Sequence, residues 1–246
     1  MYTNFYVFRY AGVMVVVVAA VLSAAAMFLK PAQEHNIAVD KMQGVLAAAN
    51  LEADATNATS LFGKYINKEL VISPQGEVLS VYENGELVEG DERAFEIDLK
   101  RELYKKSVGQ EYHLPLYVAE KEGNTYYIIP MQGKGLWGPI YGNIAIGKDM
   151  NTIRGAQFQH DKETPGLGAE IDQSWFADQF IGKKIFNEQG DFVSVRVVKG
   201  GVGTVPDDRK EHAVDAVSGG TITSDGVTEM LDNVLESYVE FFKKQA

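Results

Sequence analysis

Asp215-Ala216-Val217-Ser218-Gly219-Gly220-Thr221-Ile222-Thr223-Ser224 stands directly before a run of helical periodicity. Paired glycines take backbone angles that other residues avoid, so main-chain N–H groups can converge on one point. Val227, Met230, Leu231, Val234, Leu235, Tyr238, Val239 and Phe242 recur at three- and four-residue spacing and predict an amphipathic helix. Thr223 or Ser224 is the expected N-cap, with Asp225 as a favourable charge in the first turn. Lys243 and Lys244 suit the far end. A helix placed there adds the positive end of its dipole to the glycine turn, which makes an anion cradle. Thr221 stands in the middle of it with its hydroxyl available to carry or contact a phosphate. An ordinary turn and helix cap draws on the same residues, and composition alone favours that reading.

At the other end, Tyr10 to Leu29 is almost wholly apolar and no charge lies between Arg9 and Lys30. At the helical rise this run covers about 30 Å, the thickness of a hydrocarbon core. Ala24-Ala25-Ala26 resembles a signal-peptide cleavage site, but the run is longer than a usual signal core, which favours an uncleaved anchor. Arg9 on one side and Lys30 and Lys41 on the other leave the orientation undecided by charge. No second apolar span follows, so the remainder lies on one face of the membrane as one large or two small domains.

The net charge is −11, with no basic stripe carrying interleaved aromatics, which argues against nucleic-acid binding. The chain has no cysteine. That excludes a Cys-ligated iron–sulfur cluster, a disulfide framework and attachment of a cofactor through sulfur. His35, His113, His160 and His212 are scattered, and no pair has metal-ligand spacing, so no metal site is expected.

Between the ends, Ile37 to Leu51 predicts a helix ended by Asn50 and Asp54. Leu70 to Tyr82 predicts strands around Ser73-Pro74-Gln75-Gly76, and Ala94 to Tyr104 a helix. Leu114 to Val118 and Asn124 to Met131 predict further strands. Gly133-Lys134-Gly135-Leu136-Trp137-Gly138 has the form GxGxxG, yet it is followed by Pro139 and the strand pattern Ile140, Gly142, Ile144, Ile146. A dinucleotide fingerprint needs a helix at that point, so the motif is rejected as one. It is either a glycine-rich connection with a half-buried Trp137 or a loop that lets Trp137 reach a planar ligand.

His160-Asp161-Lys162-Glu163-Thr164-Pro165-Gly166-Leu167-Gly168 holds a rigid turn and glycines that permit close approach to a ligand. His160 and Glu163 are a candidate acid–base pair, with a plain surface contact the commoner outcome. No Ser or Cys nucleophile accompanies them, which disfavours hydrolysis. Trp175 to Phe180 predicts a short helix, and Gly182 to Ile185 leads into strands around Asn187-Glu188-Gln189-Gly190. Phe192 to Val198 predicts a strand with Val193, Val195 and Val197 on one face. Lys199, before Gly200-Gly201, is a solvated lysine or a cation near a ligand.

The segment Asp215, Ser218, Gly219, Gly220, Thr221 resembles the flavinylation motif of the bacterial FMN-binding domain family, which runs Asp, two residues, Ser or Thr, Gly, Ala, Thr. Gly220 stands where the family usually has Ala. Together with the N-terminal anchor, the Gly-Lys-Gly-Leu-Trp-Gly stretch and Glu163-Thr164-Pro165-Gly166-Leu167-Gly168, it resembles the NqrC family, a set of subunits of the sodium-translocating NADH:quinone oxidoreductases. The homologous subunit of the ion-translocating ferredoxin:NAD oxidoreductases, designated G, is the nearest rival. A membrane-anchored binding or assembly module without flavin is the alternative of another class.

The resemblance implies one covalent FMN per chain, joined through its phosphate to Thr221, with Thr223 as the other acceptor if the register shifts. It implies ligand contacts from Asp215, Ser218, Gly219, Gly220, Thr223, Ser224, Trp137, Glu163, Thr164, Gly166, Leu167 and Lys199, and no catalytic residue. Partners are implied too: the other subunits of the complex (A, B, D, E and F), a flavin transferase and membrane lipid. The soluble part is expected on the periplasmic side of a bacterial inner membrane. NADH, FAD and iron–sulfur centres belong to other subunits in this reading. The expected architecture is α+β: a tail 1–9, a transmembrane anchor 10–29, a membrane-proximal scaffold 30–130 and an FMN-binding domain 131–246.

Overall fold

The computed structural model describes residues 3–245. Residues 1 and 2 of the expected tail and residue 246 of the expected C-terminal domain lie outside them. The chain divides into two compact units, Met1–Lys41 and Met42–Ala246. Nearly all of the first is helix α1, which runs without a break over Asn4–Ala48 and carries Pro31 inside it. Its apolar stretch is long enough to cross a membrane, and the side chains from Phe5 to Leu29 are exposed. The separate helix expected to begin at Ile37 is therefore the end of α1. Asn50, with φ at +55°, turns the chain out of the helix, and Leu51 N–H closes the end on the Leu46 carbonyl at 3.0 Å.

The second unit is built on a seven-stranded antiparallel sheet. After α2 (Ala58–Tyr65) come β1 (Ile66–Ile72), β2 (Val78–Glu83) and β3 (Glu86–Glu89). Beyond α3 (Leu99–Ser107) come β4 (Leu114–Lys121), β5 (Asn124–Lys134), β6 (Pro139–Gly147) and β7 (Ile153–His160). Their order is β3-β2-β1-β4-β5-β6-β7. The expected boundary at 130/131 falls inside β5, and strands from both sides of it pair in one sheet.

Alternation along the strands supplies two cores. Leu114, Leu116, Ile129, Met131, Ile140 and Ile144 face one cluster. Tyr117, Ala119, Ile128 and Ala145 face another that includes Val45, Leu46, Ala48 and Phe62. Burial on both faces is why β4 reads as a nearly continuous apolar run.

The first face is covered by α5 (Thr221–Glu236) and α6 (Val239–Gln245), which follow α4 (Ser174–Ala177) and the short parallel pair β8 (Arg196–Val198) and β9 (Ala213–Asp215). Val227, Met230, Leu231, Val234 and Leu235 form the buried stripe of α5, and each side chain so buried contributes about 1.5–3 kcal/mol. Tyr238, fully buried at the junction, donates its hydroxyl to the Pro115 carbonyl at 2.7 Å and pins the helices to β4.

Three local expectations change. Ala94 to Tyr104 is a 3-10 turn at Ala94–Glu96 followed by α3, because Asp98 caps a new helix by accepting the Arg101 N–H at 3.2 Å. Phe192 to Val198 is strand only at Arg196–Val198. Ser194 has φ at +57°, which breaks the alternation assigned to Val193, Val195 and Val197. Residues 182–195, all of them described, form no named strand; Thr152↔Lys184 and Phe186↔Phe192 are isolated bridges.

Candidate cofactor site

Three connections meet at the start of α5: Gly135–Gly138 between β5 and β6, Glu163–Gly168 after β7, and Ser218–Gly220. The first is a tight turn, closed by Gly135 N–H to the Gly138 carbonyl at 2.8 Å. Glu163 draws them together. Its Oε1 accepts the Trp137 N–H at 2.8 Å and its Oε2 accepts the Thr223 hydroxyl at 2.5 Å. Glycines make the approach possible. A Cβ on Gly168 would run into Thr223 Oγ1, and one on Gly219 would stand 2.5 Å from Leu167 Cδ2. Gly219 also has φ at +74°, where a side chain is strained.

The expected cap of α5 is not formed by Thr223 or Ser224. The helix begins at Thr221, its N-cap is Gly220, and no side chain caps it. Ser224 N–H makes the first intrahelical bond, to the Gly220 carbonyl at 2.9 Å. The N–H groups of Thr221, Ile222 and Thr223 precede it and open toward the helix end, where an anion is favoured. Asp225 lies past the first turn, and Lys243 and Lys244 belong to α6.

The hydroxyls divide clearly. Thr223 and Ser224 are each 1% exposed. Thr223 donates to Glu163, and Ser224 Oγ accepts the Val217 N–H at 3.2 Å. Thr221 is half-buried and Ser218 exposed, outside those bonds.

The remaining candidates fall into place around this core. Thr164, Gly166 and Leu167 are exposed on the Glu163–Gly168 turn, and Trp137 is 63% exposed, so the half-buried reading of that side chain is corrected. Leu136 and Ile222 are exposed beside Trp137 and Thr221. Asp215 lies on β9 and works on the backbone. Its Oδ1 accepts the Val202 N–H at 2.6 Å, and its N–H donates to Gln179 Oε1 at 2.9 Å. Asp215 thereby ties down the turn on which exposed Lys199 sits.

The candidate acid–base pair is not formed by side chains. Glu163 N–H reaches His160 Nδ1 at 3.3 Å, while His160 Nε2 lies 3.6 Å from Asp172. The Glu163 carboxylate is turned the other way. Gln179 and Lys183 are neighbours of the motif that carry no signal in the sequence. Burial holds the Lys183 ammonium below the usual lysine range, against the pull of Asp215 and Glu211. A cleft of about 920 Å³, lined by Phe186, Phe192, Arg209 and Asp232 among others, includes none of the candidate residues.

An FMN group fits this arrangement. Open N–H groups at a helix start suit a phosphate, and Trp137, Leu167 and Ile222 offer apolar surface for a planar ring. Residues 135–236 match the FMN-binding domain family, and this span contains all three connections. Fold and site thus define the class, a protein with an FMN-binding domain.

A crystal structure of NqrC, the C component of the Na(+)-translocating NADH-quinone reductase, from Parabacteroides distasonis superposes with a TM-score of 0.73. It is 40% identical, over 87% of this chain and 96% of that one. The NqrC structure from Shewanella oneidensis gives 0.67 at 28% identity, over 85% and 98%. The corresponding protein of Vibrio alginolyticus is 32% identical over 216 residues, 86% of this chain and 82% of the relative. The chain belongs to the NqrC family of Na(+)-translocating NADH-quinone reductase subunits.

Proposed function

We propose that this chain carries FMN as a phosphoester on Thr221 and relays electrons within a sodium-translocating NADH:quinone reductase. The observation that carries the attachment point is the division of hydroxyls. Thr223 and Ser224 are buried and engaged, whereas Thr221 stands half-exposed at the open N-terminus of α5. Thr223 is thus the weaker acceptor, since its oxygen would have to leave Glu163 and the core.

In this reading the N–H groups of Thr221, Ile222 and Thr223 meet the phosphate charge, with Gly219 and Gly220 leaving room for it. Thr164, Leu167 and Trp137 line the ring's place, with Gly166 allowing the turn to approach. Lys199 lies on a turn held by Asp215, where a cation favours added negative charge. Bound FMN supplies one- and two-electron redox chemistry, and the protein supplies placement and electrostatics. No side chain is placed as a catalytic acid or base. An ordinary Thr hydroxyl is a weak nucleophile, so a separate flavin transferase is required. The hydroxyl proton and the donor's leaving group depart as the phosphoester forms.

The partners in this reading are the other subunits of the complex, A, B, D, E and F. The apolar stretch of α1 anchors the chain in the inner membrane, and the soluble unit faces the periplasm. The test is peptide mass of the protein purified from membranes of its own host. FMN less one water on the Thr221 peptide, lost in Thr221→Ala, is the expected result. An unmodified peptide in the presence of an active transferase would leave an anchored binding or assembly module as the better description.

A further inference from the structure

Glu163 is 5% exposed, and a carboxylate so buried is costly unless its oxygens are engaged. Both are, and by groups from two other segments: Trp137 N–H at 2.8 Å and the Thr223 hydroxyl at 2.5 Å. The surroundings are cut back to admit it. A Cβ on Gly135 would stand 2.6 Å from Glu163 Oε1, and one on Gly168 would stand 2.5 Å from Oε2. Three chain segments are therefore assembled around one side chain whose acceptors point at protein donors.

Helix geometry gives this contact a consequence at Thr221. Successive residues of an α-helix are turned by about 100°, so residues two apart point to nearly opposite sides. With Thr223 locked inward on Glu163, Thr221 is turned outward.

We propose that Glu163 is the positioning residue of the flavin site and not one of its ligands. Through Thr223 it sets the rotation of the first turn of α5, and through Trp137 N–H it holds the glycine turn beside it. It touches no reacting atom; it acts through those two residues. The proposal deepens the reading of Thr221 as the attachment point and rests on it.

The test uses the full chain, co-expressed with a flavin transferase and purified in detergent, as Glu163→Ala, Glu163→Gln, Thr223→Val and Thr223→Ser. The first readout is the fraction of Thr221 peptide carrying FMN, by mass. The second is amide hydrogen exchange at Trp137 in protein made without the transferase. Thr223→Val should lower the flavinylated fraction about tenfold, the scale of one lost hydrogen bond to a charged group, and Glu163→Ala, which loses both bonds, at least as much.

Glu163→Gln should restore most of it, because its amide oxygen accepts the Trp137 N–H and its NH2 donates to Thr223 Oγ1. Thr223→Ser should restore it as well. Exchange at Trp137 should accelerate in Glu163→Ala and stay slow in Glu163→Gln. Wild-type flavinylation and Trp137 protection in Glu163→Ala would overturn the proposal, as would a Gln variant no better than Ala.

Should Glu163→Ala fail to fold, Thr223→Val against Thr223→Ser decides the matter, since both keep the bond to Trp137. Should the wild-type Thr221 peptide be unmodified, the attachment reading falls. Exchange at Trp137 then decides the positioning role alone: unchanged exchange in Glu163→Ala overturns it, and acceleration supports it.

Discussion

Gly219 and Gly220 are neighbours of the same type, and the geometry predicts unequal responses to a single added methyl group, a marked loss of stability at one and little change at the other. Gly219 has φ at +74°, and a Cβ there would stand 2.5 Å from Leu167 Cδ2. An L residue in the left-handed region costs roughly 1–2 kcal/mol. Displacing the tip of an exposed leucine adds a smaller overpacking cost, near the low end of about 1–3 kcal/mol. Gly219→Ala should therefore destabilise the second unit by about 2–3 kcal/mol. At roughly 2–4 °C per kcal/mol for a domain of this size, the midpoint should fall by about 4–12 °C.

Gly220 has φ at −102°, which any residue adopts. A Cβ there would meet Val217 Cγ1 at 3.1 Å and Gly168 N at 3.2 Å, tight contacts that a small shift of the neighbours relieves. Loss of glycine's freedom in the unfolded chain is worth about 0.4–1 kcal/mol in the opposite sense. Gly220→Ala should thus lie within about 1 kcal/mol of wild type. It also gives residues 218–221 the Ser-Gly-Ala-Thr order of the flavinylation motif that this segment resembles. Thermal and urea unfolding of both variants, with the flavinylated fraction measured alongside, is the assay. A Gly219→Ala protein as stable as wild type, or two variants equally damaged, would refute the reasoning.

Tyr238→Phe removes a buried hydroxyl from the Pro115 carbonyl and leaves that oxygen unpaired, so unfolding should ease by about 1–3 kcal/mol; an unchanged urea midpoint would show that the carbonyl finds another donor. Lys199→Gln should leave stability within about 0.5 kcal/mol, because the side chain is exposed. If Lys199 lies near the flavin, the reduction potential of that variant should move to more negative values, and an identical potential would remove Lys199 from the site. Burial raises the pKa of Asp149, but hydrogen bonds from the Thr152 hydroxyl and N–H and from Asn151 N–H, with Arg154 nearby, hold it below the usual carboxylate range. Its contribution is therefore present above the unfolded-state pKa and lost as pH falls through the depressed value. Wild type should lose more stability on acidification than Asp149→Asn, and parallel pH profiles would show that the turn does not depend on this carboxylate.

The parts of this protein that are legible in sequence share one physical trait, a hydrophobic pattern carried within a single segment. The stripe Val227, Met230, Leu231, Val234, Leu235 locates α5, and continuous apolarity from Tyr10 to Leu29 locates the stretch of α1 that is long and apolar enough to cross a membrane. The strand after Pro139 is legible in the same way and removes the dinucleotide reading of Gly133 to Gly138. What sequence leaves out depends on long-range contacts.

Thr223 looks like a cap because caps and buried hydroxyls draw on the same residue, and only Glu163, sixty positions away, decides which it is. Ser194 interrupts a run rich in valine with a positive φ that propensity does not foresee. Gln179 gives no signal in the sequence, since its part is to accept one backbone N–H from Asp215. Glu163 reads in sequence as a candidate acid–base or surface partner of His160, and its side chain instead points inward to Thr223.

That inward carboxylate and the outward Trp137 describe two requirements that pull apart. A relay needs its redox group near the surface, where partners can reach it. The apolar side chains at this site are accordingly exposed: Trp137 by 63%, Ile222 by 56% and Leu167 by 43%. A ligand lying on such a surface buries too little area to be held tightly by the hydrophobic effect alone. The proposed phosphoester at Thr221 supplies retention without burial. The Glu163 bracket supplies orientation without covering the ring's place, because its side-chain bonds lie beneath that surface, on Trp137 N–H and the Thr223 hydroxyl. Retention and orientation are then separable. A variant that weakens the bracket should affect how efficiently flavin is attached and how rigidly it sits, while flavin already attached stays on the chain.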